Sequence, residues 1–143
     1  MDKKSLQQLA EHGIPIYGDL DYRGYNPLET AEQVGFLVML RKVFPDLAEI
    51  AVHIRNEGKM AARKGRQLNT EGRNTGASDI MIPTCPPIVI ELKRRDHTAS
   101  SISAEQIAYL VRSQRAGAFA CVALGQGGAM EAVEAWHTLH SSK

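Results

Sequence analysis

Apolar residues along this chain fall into two rhythms, helical and strand-like. Leu28, Ala31, Val34 and Val38 recur at helical spacing and Pro45 stops the run, which predicts an amphipathic helix over 28–43. Ile50 to Ile54 reads as a short strand. Two more strands are predicted at Ser78–Ile82 and Ile88–Lys93. Their connection, Pro83-Thr84-Cys85-Pro86-Pro87, holds all the nearby prolines, which suits a hairpin. Ser103 opens a helix to about Arg115, closed by Gly117, and the wholly apolar Phe119–Leu124 reads as a buried strand. Gly125–Gly128 then turns into a last helix ending near His140. Upstream, Ser5 is expected to cap a short helix through His12, ended by Gly13 and Pro15. Residues 13–27 carry three glycines, two prolines and three tyrosines without a period, and read as an ordered loop or arm. Asn56 is placed to cap a basic helix from about Glu57 to Leu68, although Gly58 and Gly65 weaken it, with a loop from Gly72 to Gly76. The resulting order is α, α, β, α, β, β, α, β, α, with an N-terminal helix and arm (1–27) before the main domain (28–143).

Composition narrows the class. At 143 residues and 43% hydrophobic, the chain suits one domain with a full core. The strongest early apolar run, Phe36 to Leu40, is far too short to span a bilayer. Behind Met1-Asp2-Lys3-Lys4-Ser5 there is no apolar segment of a secretory signal, so a cytoplasmic protein is expected. Cys85 and Cys121 form neither a disulfide framework nor a zinc pattern, and read as thiols in a reducing compartment. Charge is unevenly spread although the net is only +1. Residues 1–54 hold five basic and eight acidic side chains, whereas 55–95 hold nine basic and four acidic. That basic middle suits a polyanion, and it equally suits a solvated surface.

The candidate chemistry lies in the two middle strands. Side chains alternate along a strand, so Glu91 and Lys93 share one face while Ile90 and Leu92 take the other. Asp79 has the parity of Met81, opposite Ile80 and Ile82. With the hairpin centred near Cys85, Asp79 lies directly across from Glu91. Opposed like charges destabilise a sheet unless something binds between them. A divalent cation with oxygen ligands, Mg²⁺ or Mn²⁺, is the natural occupant. Such an ion activates water and stabilises charge on a phosphate, and Lys93 beside it can hold the nucleophile or neutralise the transition state. An isolated Glu-x-Lys is usually an ordinary outward pair. The matching Asp79 within apolar strands favours a site.

Five segments carry a family resemblance: Glu29-Thr30-Ala31-Glu32-Gln33, Arg55-Asn56-Glu57-Gly58, Gly76-Ala77-Ser78-Asp79-Ile80, Ile90-Glu91-Leu92-Lys93-Arg94 and Ser103-Ala104-Glu105-Gln106. In order, from about residue 29 to 136, they resemble the VRR-NUC group of PD-(D/E)XK nucleases, particularly its small stand-alone phage and prophage forms. The resemblance implies an α/β, restriction-endonuclease-like αβββαβ core whose mixed central sheet is flanked by helices. It also implies metal-dependent endonuclease cleavage of branched or flapped DNA, Holliday junctions included. Carried over residue by residue, Asp79 and Glu91 become metal ligands, with the Leu92 carbonyl a possible third and Lys93 the catalytic lysine. Glu29 would reach the site from the first core helix, with Gln33 one turn on. Glu32 competes with it, and a first-turn acid also serves the helix dipole. Gln106 would lie near the active site, but Ser103-x-x-Gln106 is equally a capping box. Ser78 stands where the family usually has proline, and the loop from Asp96 to Ser101 lacks the usual glycine.

Lys59, Arg63, Arg66, Arg73, Arg94 and Arg95 are the expected nucleic-acid contacts, since cations neutralise backbone phosphate whatever the sequence. For Asn56 a cap suffices, and His53 suits either an approach to substrate or a place in the core. Gly125-Gln126-Gly127-Gly128 lacks a complete phosphate-loop motif and reads as a tight turn, so a small-molecule phosphate hydrolase is poorly supported. His137 and His140 lack a third ligand and read as surface residues, while Trp136 is expected to anchor the last helix. A non-catalytic nucleic-acid-binding module on the same fold is the main alternative, though it has no need of paired carboxylates. A homodimer is expected, because two symmetric nicks need two active sites.

Overall fold

The structure is a computed structural model that describes residues 1–54 and 76–140. Its elements are α1 (Lys3–Glu11), β1 (Ile16–Tyr17), α2 (Glu29–Val43), α3 (Pro45–Ile50), β2 (Val52–His53), β3 (Ile80–Ile82), β4 (Ile88–Lys93), α4 (Ala104–Arg115), β5 (Phe119–Leu124) and α5 (Gly125–His140). A 3₁₀ turn at His97–Ala99 follows β4. The five strands form one mixed sheet in the order β1-β5-β4-β3-β2. β4 runs antiparallel to β3 and parallel to β5, and β1 is parallel to β5 at the far edge. This is the α/β, mixed-sheet architecture expected.

Every residue of β4 is buried, as suits a central strand covered on both faces. On one face Ile80, Ile82, Ile88, Ile90 and Leu92 pack against Phe36 and Leu40 of α2 and the small residues Ala129, Ala132 and Val133 of α5. On the other, Val89, Ala120, Val122 and Leu124 meet Leu9 of α1 and Ile107, Leu110 and Val111 of α4. The alternation of β4 thus feeds two cores at once. Glu91 and Lys93 have the parity of Val89, which puts them on the α4 side.

Several expectations are corrected. Asp2, not Ser5, caps α1, its carboxylate accepting the Ser5 N–H at 2.8 Å. Residues 1–27 do not stand apart as an arm: Ile16 and Tyr17 form β1, and Met1, Leu9 and Ile14 enter the second core. The helix stops at Val43 ahead of Pro45, as expected, but Pro45 then opens a further helix, α3, in the first-turn position that proline favours, which shortens the expected strand to Val52–His53. In α2 the helix is as expected but its apolar stripe faces outward. Leu28 is 67% and Val34 63% exposed, and the buried positions are Glu32, Gln33, Phe36 and Leu40. Of the two polar residues on the inward face, Glu32 meets the Arg95 guanidinium there. The expected basic helix from Glu57 to Leu68, its cap Asn56 and the loop up to Thr75 lie outside the described residues.

Trp136 anchors α5 as expected, its indole N–H donating to the Pro86 carbonyl at 2.9 Å. The turn expected at Gly125–Gly128 is tight indeed, since α5 begins directly after β5. Gly125 makes this possible: its φ is +67°, and a Cβ there would sit 2.6 Å from a Glu32 carboxylate oxygen. His137 and His140 are exposed, their rings set against Phe44 and Trp136. Cys85 is exposed and Cys121 buried, both as free thiols.

Candidate active site

β3 pairs with β4 through Ile80↔Ile90, Met81↔Val89 and Ile82↔Ile88. One step further, the same register sets Asp79 opposite Glu91. Asp79 has just left the ladder, and its Oδ2 accepts the N–H of Leu92 at 2.8 Å in place of a backbone partner. A strand residue directs its N–H and C=O to the same edge, so the Leu92 carbonyl faces the Asp79 side too. Gly76 holds this segment close to α4. Its φ is +84°, and a Cβ would come 2.6 Å from the Glu105 carbonyl carbon.

Gln106 connects the strand to α4. Its Nε2 donates to Glu91 Oε1 at 2.5 Å, and its Oε1 accepts from Lys93 Nζ at 3.3 Å. That same Oε1 takes the Ser103 N–H at 2.8 Å while Ser103 Oγ takes the Gln106 N–H at 3.1 Å, a complete capping box. Cap and contact with Glu91 are therefore simultaneous rather than alternatives. Lys93 Nζ also lies 3.4 Å from Glu91 Oε1, in a pair almost wholly out of water.

Glu91 is buried, and its second oxygen, Oε2, has no hydrogen-bond partner among the described residues. Burial first, and the charge of Asp79 second, push its carboxyl well above the usual range despite Lys93. Asp79 is also raised, by burial, against the opposing pull of the Leu92 N–H and Lys93. Glu29 is raised by burial and by Asp79. Three carboxyls are thus held where negative charge is unfavourable without a cation.

Glu29, Gln33, His53, Asp79 and Arg94 line a cleft of about 890 Å³, together with Leu28, Thr30, Val34, Leu37 and Ile54. His53 is exposed on β2 and faces this cleft, not the core. Gln33 Nε2 is a second buried polar atom without a partner among the described residues. Ser78, at the position where proline was expected, is buried and its Oγ is likewise unpartnered there.

The donor set is all oxygen, and an orphaned buried carboxylate oxygen is what a hard divalent ion would satisfy. The residues fit Mg²⁺ or Mn²⁺ with one amendment. Among the described residues no three His, Cys, Asp or Glu side chains converge on one point. Glu29, in the first turn of α2, feels the charge of Asp79 and acts in turn on Glu91. Glu29 and Asp79 both line the cleft, and Glu29 is close enough to raise the Glu91 carboxyl as well. Between Glu29 and Glu32 the geometry decides plainly. Glu32 turns the other way, gripping Arg95 through Nε at 2.8 Å and Nη2 at 2.7 Å.

That grip alters the expected nucleic-acid contacts. The Arg95 guanidinium is bidentate on Glu32, and Arg94 donates to the carbonyls of Pro27 (2.9 Å) and Asn26. Both are structural ties first, although Arg94 still borders the cleft. Lys59, Arg63, Arg66 and Arg73 lie outside the described residues. The sequence carries no short-range signal for the Glu32–Arg95 pair, whose members are 63 positions apart.

No protein-family model matches the chain, and neither does any curated protein. Among solved structures the chain is similar to a "VRR_NUC domain protein", with a TM-score of 0.67 and 16% identity over 82% of this chain and 93% of that one. At that identity the likeness establishes the fold: a VRR_NUC-type α/β core. Among the described residues no helix is long and apolar enough to cross a membrane.

Proposed function

We propose that the protein is a metal-dependent endonuclease hydrolysing phosphodiester bonds of DNA, with Mg²⁺ or Mn²⁺ held by Asp79, Glu91 and the Leu92 carbonyl. One observation carries the reading: Glu91 is buried with a free oxygen, across from Asp79 and beside Lys93. Keeping such a carboxylate out of water costs stability unless a cation or proton neutralises it. When bound, the ion supplies Lewis-acid charge to the phosphate and eases deprotonation of the attacking water.

The chain's own groups do the rest. Gln106 fixes one oxygen of Glu91 and leaves the other facing the site. Lys93, held between Glu91 and Gln106, orients the water and offsets charge accumulating on the phosphoryl oxygens. Gln33 lines the cleft, and its buried amide Nε2 has no partner among the described residues. Glu29 would add a further carboxylate to the ion from α2, as its place in the cleft and its coupling to Asp79 and Glu91 support. The substrate reading extends to branched DNA (junctions or flaps) cut by a homodimer with two sites.

The test is a cleavage panel of labelled junction, flap, duplex and single-stranded DNA with Mg²⁺, Mn²⁺ or chelator. Metal-dependent cutting that favours branched forms is expected, and intact DNA throughout would overturn the reading in favour of a binding module. Lys93→Ala should lower turnover at least about 100-fold, the scale for removing one transition-state donor, while DNA binding persists. Sedimentation that shows only monomer, with and without DNA, would remove the dimer.

A further inference from the structure

We propose that Tyr25 is a stacking platform for an unpaired nucleobase of the DNA strand entering the carboxylate cleft. The proposal rests on the nuclease reading for its substrate class. Residues 18–28 contain no helix or strand, yet their backbone is tied down at successive positions. The Tyr22 hydroxyl donates to the Tyr25 carbonyl at 2.7 Å. Arg94 donates to the carbonyls of Asn26 and Pro27, and the Asn26 side-chain oxygen accepts the Asp96 N–H at 3.1 Å.

On this fixed backbone Tyr25 is 76% exposed, more than any other large hydrophobic residue described. It is not bare on both faces. The Arg95 guanidinium carbon lies 5.9 Å from the ring centroid, and the salt bridge to Glu32 keeps that cation in place whether or not substrate is bound. One face is therefore backed by a positive charge and the other is open. A ring on a pinned segment loses little freedom on binding, which favours its use as a contact.

Position selects the ligand. Leu28 and Asp79 both line the cleft, and the Tyr25 Cα is three peptide units from that of Leu28, at most about 11 Å. Stacked nucleotides advance about 3.4 Å per step along a strand. The Tyr25 backbone thus lies within about three nucleotide steps of Leu28 at the cleft wall, in reach of a strand that leaves the cleft on that side. Bases inside a duplex have both faces covered by neighbours, whereas an unpaired or terminal base offers one to an aromatic ring. A cation behind the ring also suits a polyanionic strand better than an apolar protein partner.

The test compares wild type, Tyr25→Ala and Tyr25→Phe by fluorescence anisotropy, using a short labelled single strand and a blunt hairpin duplex with Ca²⁺ in place of Mg²⁺. Tyr25→Ala should weaken single-strand binding by roughly 5- to 100-fold, the scale of one stacked base, and leave the duplex unchanged. Tyr25→Phe should bind like wild type. A 2-aminopurine near the cleft should be quenched by wild type and Tyr25→Phe, but less by Tyr25→Ala. Equal single-strand affinity for Tyr25→Ala and wild type overturns the proposal. So does a change in self-association by sedimentation with DNA affinity intact, which would make the ring a protein contact. If wild type cuts DNA while Tyr25→Ala binds normally, the platform falls and the nuclease stands. If wild type binds single strands through Tyr25 but never cuts, the nuclease falls and the platform stands. A wild type that binds no single strand overturns the platform outright.

Discussion

Glu32 and Glu91 are both 1% exposed, yet the protein treats them in opposite ways. Burial alone would raise either carboxyl. Glu32 has Arg95 on both oxygens and the Gln126 N–H at 3.4 Å, and these outweigh burial and hold it below its usual range. Glu91 shares Lys93 with Gln106, faces Asp79, has one oxygen unsatisfied, and is held well above. The difference is one of partners, not depth. Glu32 completes a joint between α2, the end of β4 and the start of α5. Glu91 is an incomplete joint, and that incompleteness under burial is what motivates the proposed metal.

Substitution to glutamine should separate the two. Glu91→Gln is expected to lower metal-dependent cleavage by at least about 100-fold while folding at least as stably without metal. Mn²⁺ at a hundred times its dissociation constant should stabilise wild type by about 2.7 kcal/mol. Thermal melts should find that gain retained by Glu32→Gln and lost by Glu91→Gln. An equal metal response in both variants would break the comparison.

Glu32→Gln should instead cost about 2 kcal/mol by urea titration. That sits between the values for breaking a buried pair and an exposed one, because the Arg95 side chain is still 33% exposed. The pH dependence of stability should differ in sign as well. Glu91, raised in the fold, keeps a proton that the unfolded chain has lost, so metal-free stability falls as pH climbs above about 4.5 towards the folded value. Glu32, lowered in the fold, contributes stability above about 4.5 that is lost as pH drops through its folded value. Melts across pH should show each limb flattened only by its own glutamine variant. The smallest effect is expected for Ser103→Ala, about 1 kcal/mol for a lost cap, with the Gln106 contact to Glu91 surviving.

The same contrast explains what could be read from the sequence. β4 and β5 match their expected bounds because long apolar runs ended by polar residues or glycine fix them locally. The Asp79–Glu91 register followed from hairpin parity, and the capping box from four adjacent residues. Glu32 was legible only as a competitor to Glu29, since its partner lies on another element. β1 escaped because two residues make no pattern, and Ile16 and Tyr17 become a strand only when Val122 and Ala123 lie beside them. The stripe of α2 misled for a related reason: its inward face combines Phe36 and Leu40 with the buried Glu32 and Gln33, a mixture that apolar spacing does not reveal.

Gln106 has a consequence for how the sequence is free to drift. As a capping residue it has an equal in glutamate, which many helices use at the same position. Here a glutamate would lose the N–H donated to Glu91 and bring another anion against a carboxylate already short of partners. The fold would accept either residue, and the site only one. Among descendants of this chain the position should therefore refuse a change that helix stability alone would permit, and that refusal is a signature of selection on the active site.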